Sequence, residues 1–373
     1  MPLEVRPVRG LLGRQRFVEL PFRLFGHDPE WVPPLRMTIY DRISPRYPAQ
    51  DHQQTQLWMA YRRGQPVGRI GACIDRLFNE LHDESWGWVG FFESFDDPAV
   101  ASALLDTACQ WATDRGAAVC IGPASFTTND ECGLLVDGFE HPPLFQTPHN
   151  PPYYERLWTG SGWEPAMDLW GWWYTRDTAR LSERQRAVLE RIKKRADAHV
   201  RGMDMANYNV EVARVFDLFN QTWADNWGFV PMSKGEIDHL SKGLKRIIDP
   251  DLMLAVERSD GEVLAMALCL PDVNEVLRSV RSGRLLPLGW LRLLRGLPRA
   301  TRARIFILGV RPDQQNRALG VLLYQELTDR LIDKGMAGAE ASWILATNKS
   351  MNAAIEGVGG TRYKTWRLYR REL

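Results

Sequence analysis

The chain lacks most of the features that would mark a special environment. Its five cysteines are scattered without a C-x-x-C pair or a histidine-rich neighbour, which argues against structural zinc and for reduced thiols. No apolar run approaches membrane-spanning length, and the first residues lack the apolar core of a signal peptide. A formal net charge of +1 gives no overall attraction to nucleic acid. We therefore expect a cytoplasmic protein without a structural metal or a nucleic-acid partner.

The two halves of the chain resemble each other. The chain has 373 residues, enough for two domains. Residues 89–101 align without a gap with residues 308–320, and residues from Asn150 align with those from Asn348. A Gly- and Pro-rich insertion, residues 122–149, separates the two aligned blocks in the first copy. Two ungapped blocks in the same order indicate an internal duplication.

A charged segment without Gly or Pro, residues 175–198, separates the copies and has the Leu/Ile spacing of an amphipathic helix. The sequence therefore predicts a first domain at 1–175, a helical linker at 176–197 and a second domain at 198–373. Each half alternates strand and helix patterns, with hairpin turns at Gly64 and Gly261. This alternation predicts the α/β class, with a mixed sheet and helices packed on its faces.

The segment "GVRPDQQNRALG", residues 309–320, follows an apolar strand pattern and leads into a helix pattern from about Leu319. The first amides of such a helix have no partner within the helix, and together with the helix dipole they form a site for a pyrophosphate. Ala318 and Gly320 are small enough for a ligand to approach the backbone closely. A plain helix-capping turn is the alternative interpretation.

This segment resembles the pyrophosphate motif of the GNAT acyltransferase superfamily, hydrophobic-x-P followed by Q/R-x-x-G-x-G/A, with Ala318 in place of the usual glycine. The chain is similar to a bacterial family of tandem GNAT proteins that carry the segments "NQTWADNWGF", "GPASFTTNDECG" and "NPPYY". The resemblance implies two tandem GNAT-like domains, the second of which binds acetyl-coenzyme A or another acyl-coenzyme A. The residues implied in coenzyme binding are Leu308, Val310, Gln315, Asn316, Arg317, Ala318, Leu319, Gly320 and Asn348.

The equivalent turn of the first half has a different chemistry. It carries Glu93, Asp96, Asp97 and Pro98. The carboxylates repel a pyrophosphate, and proline removes one N–H donor. We therefore expect the first domain to have lost coenzyme binding.

The resemblance implies that an amine attacks the thioester of the acyl-coenzyme A. The backbone of Leu308 to Val310 would then polarise the thioester carbonyl. Glu340 is the candidate base, although a structural ion pair explains it equally well. The usual tyrosine acid is replaced by Ile355, which leaves Tyr363 as the candidate catalytic acid. Tyr369 and Ser350 are alternatives to Tyr363.

The acceptor is expected to be a small-molecule amine or a peptide. An early helical segment covers the acceptor side in GNAT folds, and here it contains two tryptophans. The predicted acceptor-pocket residues are Trp223, Trp227, Asp272, Asn274 and Asn129. The tryptophans also fit an ordinary core stripe, and Asp272 and Asn274 also fit a capped turn.

One stretch of the second half is strongly basic. From Val276 to Pro312 there is no acidic residue, while eight arginines accumulate from Arg278 to Arg304. Such a stretch can contact an anionic surface, hold coenzyme phosphates, or form a solvated face packed with leucine.

These patterns predict an N-acyltransferase that moves an acyl group, expected to be acetyl, from acyl-coenzyme A to an amine. Two alternatives remain open. One is a non-catalytic tandem binding or scaffold protein, which Ile355 and Ala318 favour. The other is a Fem-type ligase that uses aminoacyl-tRNA.

Overall fold

The computed structural model describes residues 2–175, 177–178 and 183–373. Its strands all belong to one mixed sheet. The strands are β1 (Leu3–Pro7), β2 (Gln53–Arg62), β3 (Gln65–Asp75), β4 (Trp86–Ser94), β5 (Val119–Gly122), β6 (Leu134–Asp137), β7 (Glu164–Thr175), β8 (Ala198–Gly202), β9 (Met253–Arg258), β10 (Val263–Pro271), β11 (Arg302–Val310), β12 (Gly338–Leu345) and β13 (Thr361–Glu372).

The α-helices pack on both faces of this sheet. They are α1 (Gly10–Leu24), α2 (Arg36–Arg42), α3 (Arg76–His82), α4 (Pro98–Thr113), α5 (Tyr153–Thr159), α6 (Glu183–Ala196), α7 (Tyr208–Thr222), α8 (Lys234–Leu244), α9 (Val273–Leu277), α10 (Gly289–Gly296), α11 (Leu319–Asp333) and α12 (Lys349–Gly357). Within the described residues, no helix is both long and apolar enough to cross a membrane.

The order of the strands shows that the two halves exchange their last strands. The order is β1-β2-β3-β4-β5-β13-β7-β12-β11-β10-β9-β8, with β6 paired to β13. Strand β7 ends the first half but pairs with β12 of the second half, whereas β13 ends the chain and pairs with β5 of the first half. One continuous sheet therefore runs through both predicted domains. The predicted α/β class with a mixed sheet is confirmed.

Both halves contain the same central feature, a pair of parallel strands that pair over only a few residues. Strands β4 and β5 pair only over Trp86–Trp88 and Val119–Ile121. Strands β11 and β12 pair only over Arg302–Ile305 and Gly338–Ala341. Beyond these residues β11 and β12 diverge and leave a gap, whereas the chain after β5 stays against β4, where Ala124 N donates to the carbonyl oxygen of Val89 (2.8 Å). We call this place in each half the split of that half.

The predicted hairpins are also present. Strands β2 and β3 are joined at Gly64, whose φ is +74°, and β9 and β10 are joined at Gly261, whose φ is +86°. Positive φ is a conformation that glycine adopts at little cost, so these two residues allow the tight turns. The periodicity on either side of each glycine therefore predicted the strands correctly.

Two apolar layers hold the second half together. Leu322 and Leu323 of α11 are buried on one face of the sheet, while Val215 and Phe216 of α7 are buried on the other. Removing each such side chain from water contributes roughly 1.5–3 kcal/mol. These layers hold α11 and α7 in fixed positions beside the split of the second half. In the predicted linker, helix α6 packs on the α11 face through Leu189.

The insertion of the first half reaches across the second half. We call residues 138–148 the roof segment. Lys364 Nζ donates to the carbonyl oxygen of Pro142 (2.9 Å), and Trp366 Nε1 donates to that of Pro148 (3.0 Å). The first half therefore covers part of the last strand of the second half.

Candidate functional site

The split of the second half has apolar walls that are only partly covered. Phe306, Leu308 and Val310 on β11 are half-buried, and so are Trp343 and Ile344 on β12. Beyond Ala341, the strand partner of β12 is β7, not β11. The gap between β11 and β12 is therefore flanked by apolar side chains that keep part of their surface exposed.

Backbone amides of β11 point into this split. Arg311 N donates to the carbonyl oxygen of Leu264 on β10 (3.0 Å). Because N–H groups alternate between the two sides of a strand, the amides of Leu308 and Val310 face away from β10 and toward the split. These are the residues that the sequence predicted as donors to a thioester carbonyl.

The turn after β11 leaves the first turn of α11 open. A 3-10 helix, Pro312–Arg317, leads to Ala318, which has a φ of +56° and no side chain capping the helix. The N–H groups of Leu319 and Gly320 have no acceptor among the described residues. Amides of this kind at a helix N-terminus are the donors that the predicted anion site requires.

The side chains around this turn are arranged to leave it accessible. Gln315 is exposed, and a Cβ atom added at Gly320 would meet Val310 Cγ2 at 3.5 Å and Leu308 Cδ2 at 3.8 Å. A side chain at Gly320 would therefore fit sterically but would enter the mouth of the split. The side chains of Asn316 and Arg317 lie outside the part of the chain that the structure describes. Asn348 caps α12, where its Oδ1 accepts from Met351 N (3.1 Å).

Glu340 and Tyr363, the two predicted catalytic residues, contact each other. Tyr363 donates a hydrogen bond to the fully buried carboxylate of Glu340, and Ser342 donates a second one. Arg304 Nε lies 3.7 Å from Glu340 Oε1. Burial raises the pKa of Tyr363 well above its usual value, and the negative charge of Glu340 adds to this effect. Tyr363 is partly exposed and can pass a proton to the buried carboxylate.

The sequence did not identify Arg304 as part of this cluster. It counted Arg304 among the surface arginines, but the structure buries the guanidinium. Arg304 donates to the carbonyl oxygen of Phe145 in the roof segment (2.6 Å) and to that of Ser342 (3.1 Å). The signal available in the sequence was the position of Arg304 within an apolar strand.

Lys364 and Asp272 add further buried charge nearby. Burial lowers the pKa of Lys364 to about 8 and raises the pKa of Asp272 to about 6. Arg302 donates to Asp272 Oδ2 (2.7 Å) and opposes the second shift. Burial therefore moves the pKa values of two groups beside the Glu340 cluster, Lys364 and Asp272, toward neutral pH.

The structure distributes the predicted acceptor-pocket residues over three places. Trp223 lies against Gly309 beside the split, where a Cβ on the glycine would come within 2.9 Å of the indole. Asp272 Oδ1 accepts from Phe145 N (3.2 Å) and Asn274 Nδ2 donates to Pro143 O (3.0 Å), so both bind the roof segment.

The remaining two acceptor-pocket residues lie where the halves meet. Trp227 packs against Trp86 of the first half, with ring centroids 5.5 Å apart. Asn129 Nδ2 donates to the carbonyl oxygen of Val230 (2.8 Å). Of the five, Trp223 is the one that the structure places against the end of β11 that borders the split, at Gly309.

The alternative acid candidates have other partners. Tyr369 donates to Glu155 (3.0 Å) in the first-half core, and Ser350 donates to Asn348 (3.1 Å). Ile355, at the position of the usual tyrosine, is buried in the core against α11. Tyr363 thus remains the tyrosine that contacts the Glu340 cluster.

The first half closes both the turn and the split. Asp97 Oδ1 caps α4 by accepting from Ala99 N (3.1 Å) and Val100 N (3.4 Å). The split itself is closed by the chain after β5, where Ala124 N donates to the carbonyl oxygen of Val89 (2.8 Å). The fully buried Trp158 lies at its edge, 3.0 Å from the position of a Cβ on Gly122, and packs against Phe92 with ring centroids 5.5 Å apart. The first half therefore has neither an uncapped helix N-terminus nor an open gap at this place.

Comparison with solved structures supports this arrangement at the level of the fold. The chain is similar to a tandem GNAT protein from the clavulanic acid biosynthesis pathway, with a TM-score of 0.57 and 13% identity over 100% of this chain and 98% of that chain. It is also similar to a GCN5-related N-acetyltransferase from Sphaerobacter thermophilus, with a TM-score of 0.55 and 13% identity over 99% and 95% of the two chains. The fold is therefore that of tandem GNAT acyltransferases.

Two curated proteins match over nearly the whole chain, whereas no family profile matches it. Protein YghO of Escherichia coli (strain K12) is 33% identical over 363 residues, covering 96% of this chain and 92% of the relative. The bacterial ceramide synthase of Caulobacter vibrioides is 36% identical over 383 residues, covering 100% and 98%. The chain belongs to the tandem GNAT-like family that includes these two proteins.

Proposed function

We propose that this protein is an N-acyltransferase that joins a fatty acyl group from acyl-coenzyme A to the amine of a long-chain amino alcohol, giving a ceramide-type amide. The observation that carries the proposal is the contrast between the two splits. In the second half the amides of Leu319 and Gly320 have no acceptor among the described residues and the pairing of β11 with β12 ends at Ile305, whereas the first half caps its helix and keeps the chain after β5 against β4.

The kinship with the bacterial ceramide synthase favours fatty acyl over acetyl as the transferred group. The residues beside the split agree with this choice, because Phe306, Leu308, Trp343 and Ile344 are apolar and only half-buried. Burying each methylene of an acyl chain against such walls contributes about 0.8 kcal/mol. A fatty acyl donor therefore gains far more binding energy here than an acetyl donor.

In the proposed reaction the thioester carbonyl accepts a hydrogen bond from the amide of Leu308 or Val310. The amine nitrogen attacks the carbonyl carbon, the C–N bond forms and the C–S bond breaks. The amine proton passes to the oxygen of Tyr363 while the phenolic proton moves to Glu340. The coenzyme leaves as the thiolate, which takes up one proton from solvent while Glu340 returns its proton to solvent through Tyr363, so that amide and free thiol are formed in equal amounts and the site is restored.

The first experiment measures thiol release and amide formation by the purified protein. The donors are palmitoyl- and acetyl-coenzyme A, and the acceptors are a long-chain 2-amino-1,3-diol and a small hydrophilic amine. We expect amide with palmitoyl-coenzyme A and the long-chain amine. A folded protein that releases no thiol with any combination would contradict the proposal and favour the scaffold alternative.

Matched variants then test the proton path. We expect Tyr363→Phe and Glu340→Gln to lower kcat by about 10²–10⁴-fold, the usual range for general acid–base groups. Tyr369→Phe is the control, because it removes another tyrosine–glutamate hydrogen bond from the same strand, β13. Equal kcat values for Tyr363→Phe and Tyr369→Phe would remove Tyr363 from the mechanism.

A further inference from the structure

The segment around α10 exposes an unusual amount of apolar surface. Leu286 is 76% exposed, Leu288 60%, Trp290 48% and Leu294 66%. All four lie within one short stretch of the second half. Single exposed leucines are ordinary, but four large apolar side chains on one short segment mark a contact surface.

The opposite side of α10 is fixed to the protein. Leu293 and Leu297 pack against Val273 and Leu277. A Cβ on Gly296 would come within 2.8 Å of Val276, so the helix lies close to α9. Trp290 and Leu294 are therefore held in place on a supported helix, and Leu286 and Leu288 lie in the turn that leads into it.

The arginines of this region divide into two groups. Arg302 and Arg304 turn inward to Asp272 and the Glu340 cluster, and Arg278 and Arg281 bind carbonyl groups of residues 28–31. Four others are exposed beside the apolar side chains, namely Arg284, Arg292, Arg295 and Arg299.

The exposed arginines make few contacts with carboxylates. Arg284 lies 3.7 Å from Glu19, and Arg292 donates to the carbonyl oxygen of Ser279. Arg295 and Arg299 have no hydrogen-bond or ion-pair partner among the described residues. Since residues 276–312 contain no acidic side chain, the positive charge of this surface is largely uncompensated.

We propose that α10 and the preceding loop, residues 284–299, dock on an anionic phospholipid bilayer. The argument is charge complementarity next to apolar surface: the leucines and Trp290 enter the interface, while the arginines contact lipid phosphates. A second copy of this chain is a poorer occupant, because it would place the uncompensated arginines of two copies together.

The surface formed by residues 284–299 is connected to the Glu340 cluster through the roof segment. Leu293 and Leu297 share their apolar cluster with Phe145 of the roof segment, whose carbonyl oxygen binds Arg304. The docking surface therefore lies on the sheet face of the Glu340 cluster, where a lipid amine would arrive from a bilayer. The docking inference does not rest on the proposed function, because binding to vesicles requires no acyl transfer.

The test measures binding of the purified full chain to sedimented vesicles. One set contains phosphatidylcholine alone, and the other contains phosphatidylcholine mixed with phosphatidylglycerol. We expect at least about tenfold stronger binding to the anionic vesicles, weakening as salt is raised. Each arginine near an anionic surface contributes about 1 kcal/mol, or about fivefold, so Arg295→Glu with Arg299→Glu should weaken binding by about 25-fold or more.

The apolar part is tested separately with Leu288→Ser and Leu294→Ser, which should weaken binding by about tenfold or more. Val188→Ser and Lys194→Glu are the matched controls, since α6 packs on the opposite face of the sheet. We expect both controls to bind as the unaltered protein does.

Three results would overturn the proposal. One is equal binding to both kinds of vesicle, and another is the absence of binding by folded protein. The third is a dimer in analytical ultracentrifugation that Leu288→Ser and Leu294→Ser convert to monomer, because a second copy would then cover this surface.

Discussion

In both halves a helix follows the strand that borders the split, but the N-terminus of that helix has a side-chain cap in the first half and none in the second. In the first half, Asp97 caps α4 and supplies the negative charge that its amides would otherwise seek. In the second half, Ala318 precedes α11 and cannot cap it. The comparison teaches that the same strand-to-helix turn can satisfy its first amides with a carboxylate, as in the first half, or leave them without a side-chain cap, as in the second.

The splits of the two halves differ in the same sense. The chain after β5 closes the first one, while the second keeps half-buried apolar walls. The first half has instead acquired the roof segment, which binds Arg304, Asp272 and Asn274 of the second half. One copy therefore supports the site of the other.

The largest expected effect comes from the buried arginines of the two halves. Arg304→Met removes the partner of Glu340 and of two carbonyl groups, so it should cost about 3–5 kcal/mol in the free energy of unfolding. In the first half the buried Arg69 lies 3.4 Å from Glu93. Arg69→Met should cost less, because burial already raises the pKa of Glu93 to about 7 and this carboxyl can take up a proton. Denaturant unfolding of both variants measures the difference, and an equal or larger cost for Arg69→Met would contradict it.

A pH-dependent contact joins the halves and should give the next largest effect. His52 Nδ1 lies 3.0 Å from Asp75, and its Nε2 lies 3.3 Å from Glu236 of α8. Burial alone would lower the pKa of His52, but the hydrogen bonds to the two carboxylates outweigh it and raise the pKa to about 9. A raised folded-state pKa gives stability that is fully present below about pH 6.5 and is lost as the pH rises through 9.

We therefore expect His52→Gln to cost on the order of 2 kcal/mol at pH 6 and much less above pH 9. Unfolding curves of the variant and the unaltered protein at both pH values measure this difference. A cost that stays constant across the range would show that the imidazolium charge is not what joins the halves.

Removing Asp97, the N-cap of helix α4 in the first half, should lower the free energy of unfolding by a still smaller amount. Asp97→Ala should cost about 1 kcal/mol, the usual value of an N-cap side chain. It should not create a coenzyme site, because the chain after β5 still closes the split. Thermal unfolding with and without palmitoyl-coenzyme A measures both effects, and a second bound coenzyme per chain in this variant would break the comparison.

The smallest expected effect is that of replacing one alanine by glycine, which should change the free energy of unfolding in opposite directions in the two halves. Ala318 has a positive φ, so Ala318→Gly should relieve strain and stabilise the protein by up to about 1 kcal/mol. The aligned residue Ala99 lies in the first turn of helix α4, so Ala99→Gly should destabilise by about 0.5–1 kcal/mol. Melting temperatures of the two variants give the signs, and a shared sign would contradict the interpretation of Ala318.

The sequence predicted the features that depend on neighbouring residues. The turns at Gly64 and Gly261 and the strand-to-helix change before Gly320 are local, and periodicity with turn chemistry identifies them. The exchange of β7 and β13 depends on pairing between distant segments, for which local pattern has no signal.

In the candidate site, too, local sequence pattern identified single residues but not their contacts with distant parts of the chain. Glu340 and Tyr363 were each identified, but their hydrogen bond, and the inclusion of Arg304, depend on the register of three strands. The placement of Trp227 against Trp86 depends on how the halves pack, which a single sequence does not encode locally.

The most direct measurement is calorimetric titration of palmitoyl-coenzyme A into the unaltered protein, Gly320→Glu and Gly243→Glu. Gly243 is the control because it lies on helix α8 with open space around its Cα. We predict one coenzyme per chain for the unaltered protein and the control, and no binding for Gly320→Glu. Two coenzymes per chain, or binding that survives in Gly320→Glu, would contradict the claim that the second half alone holds the donor at α11.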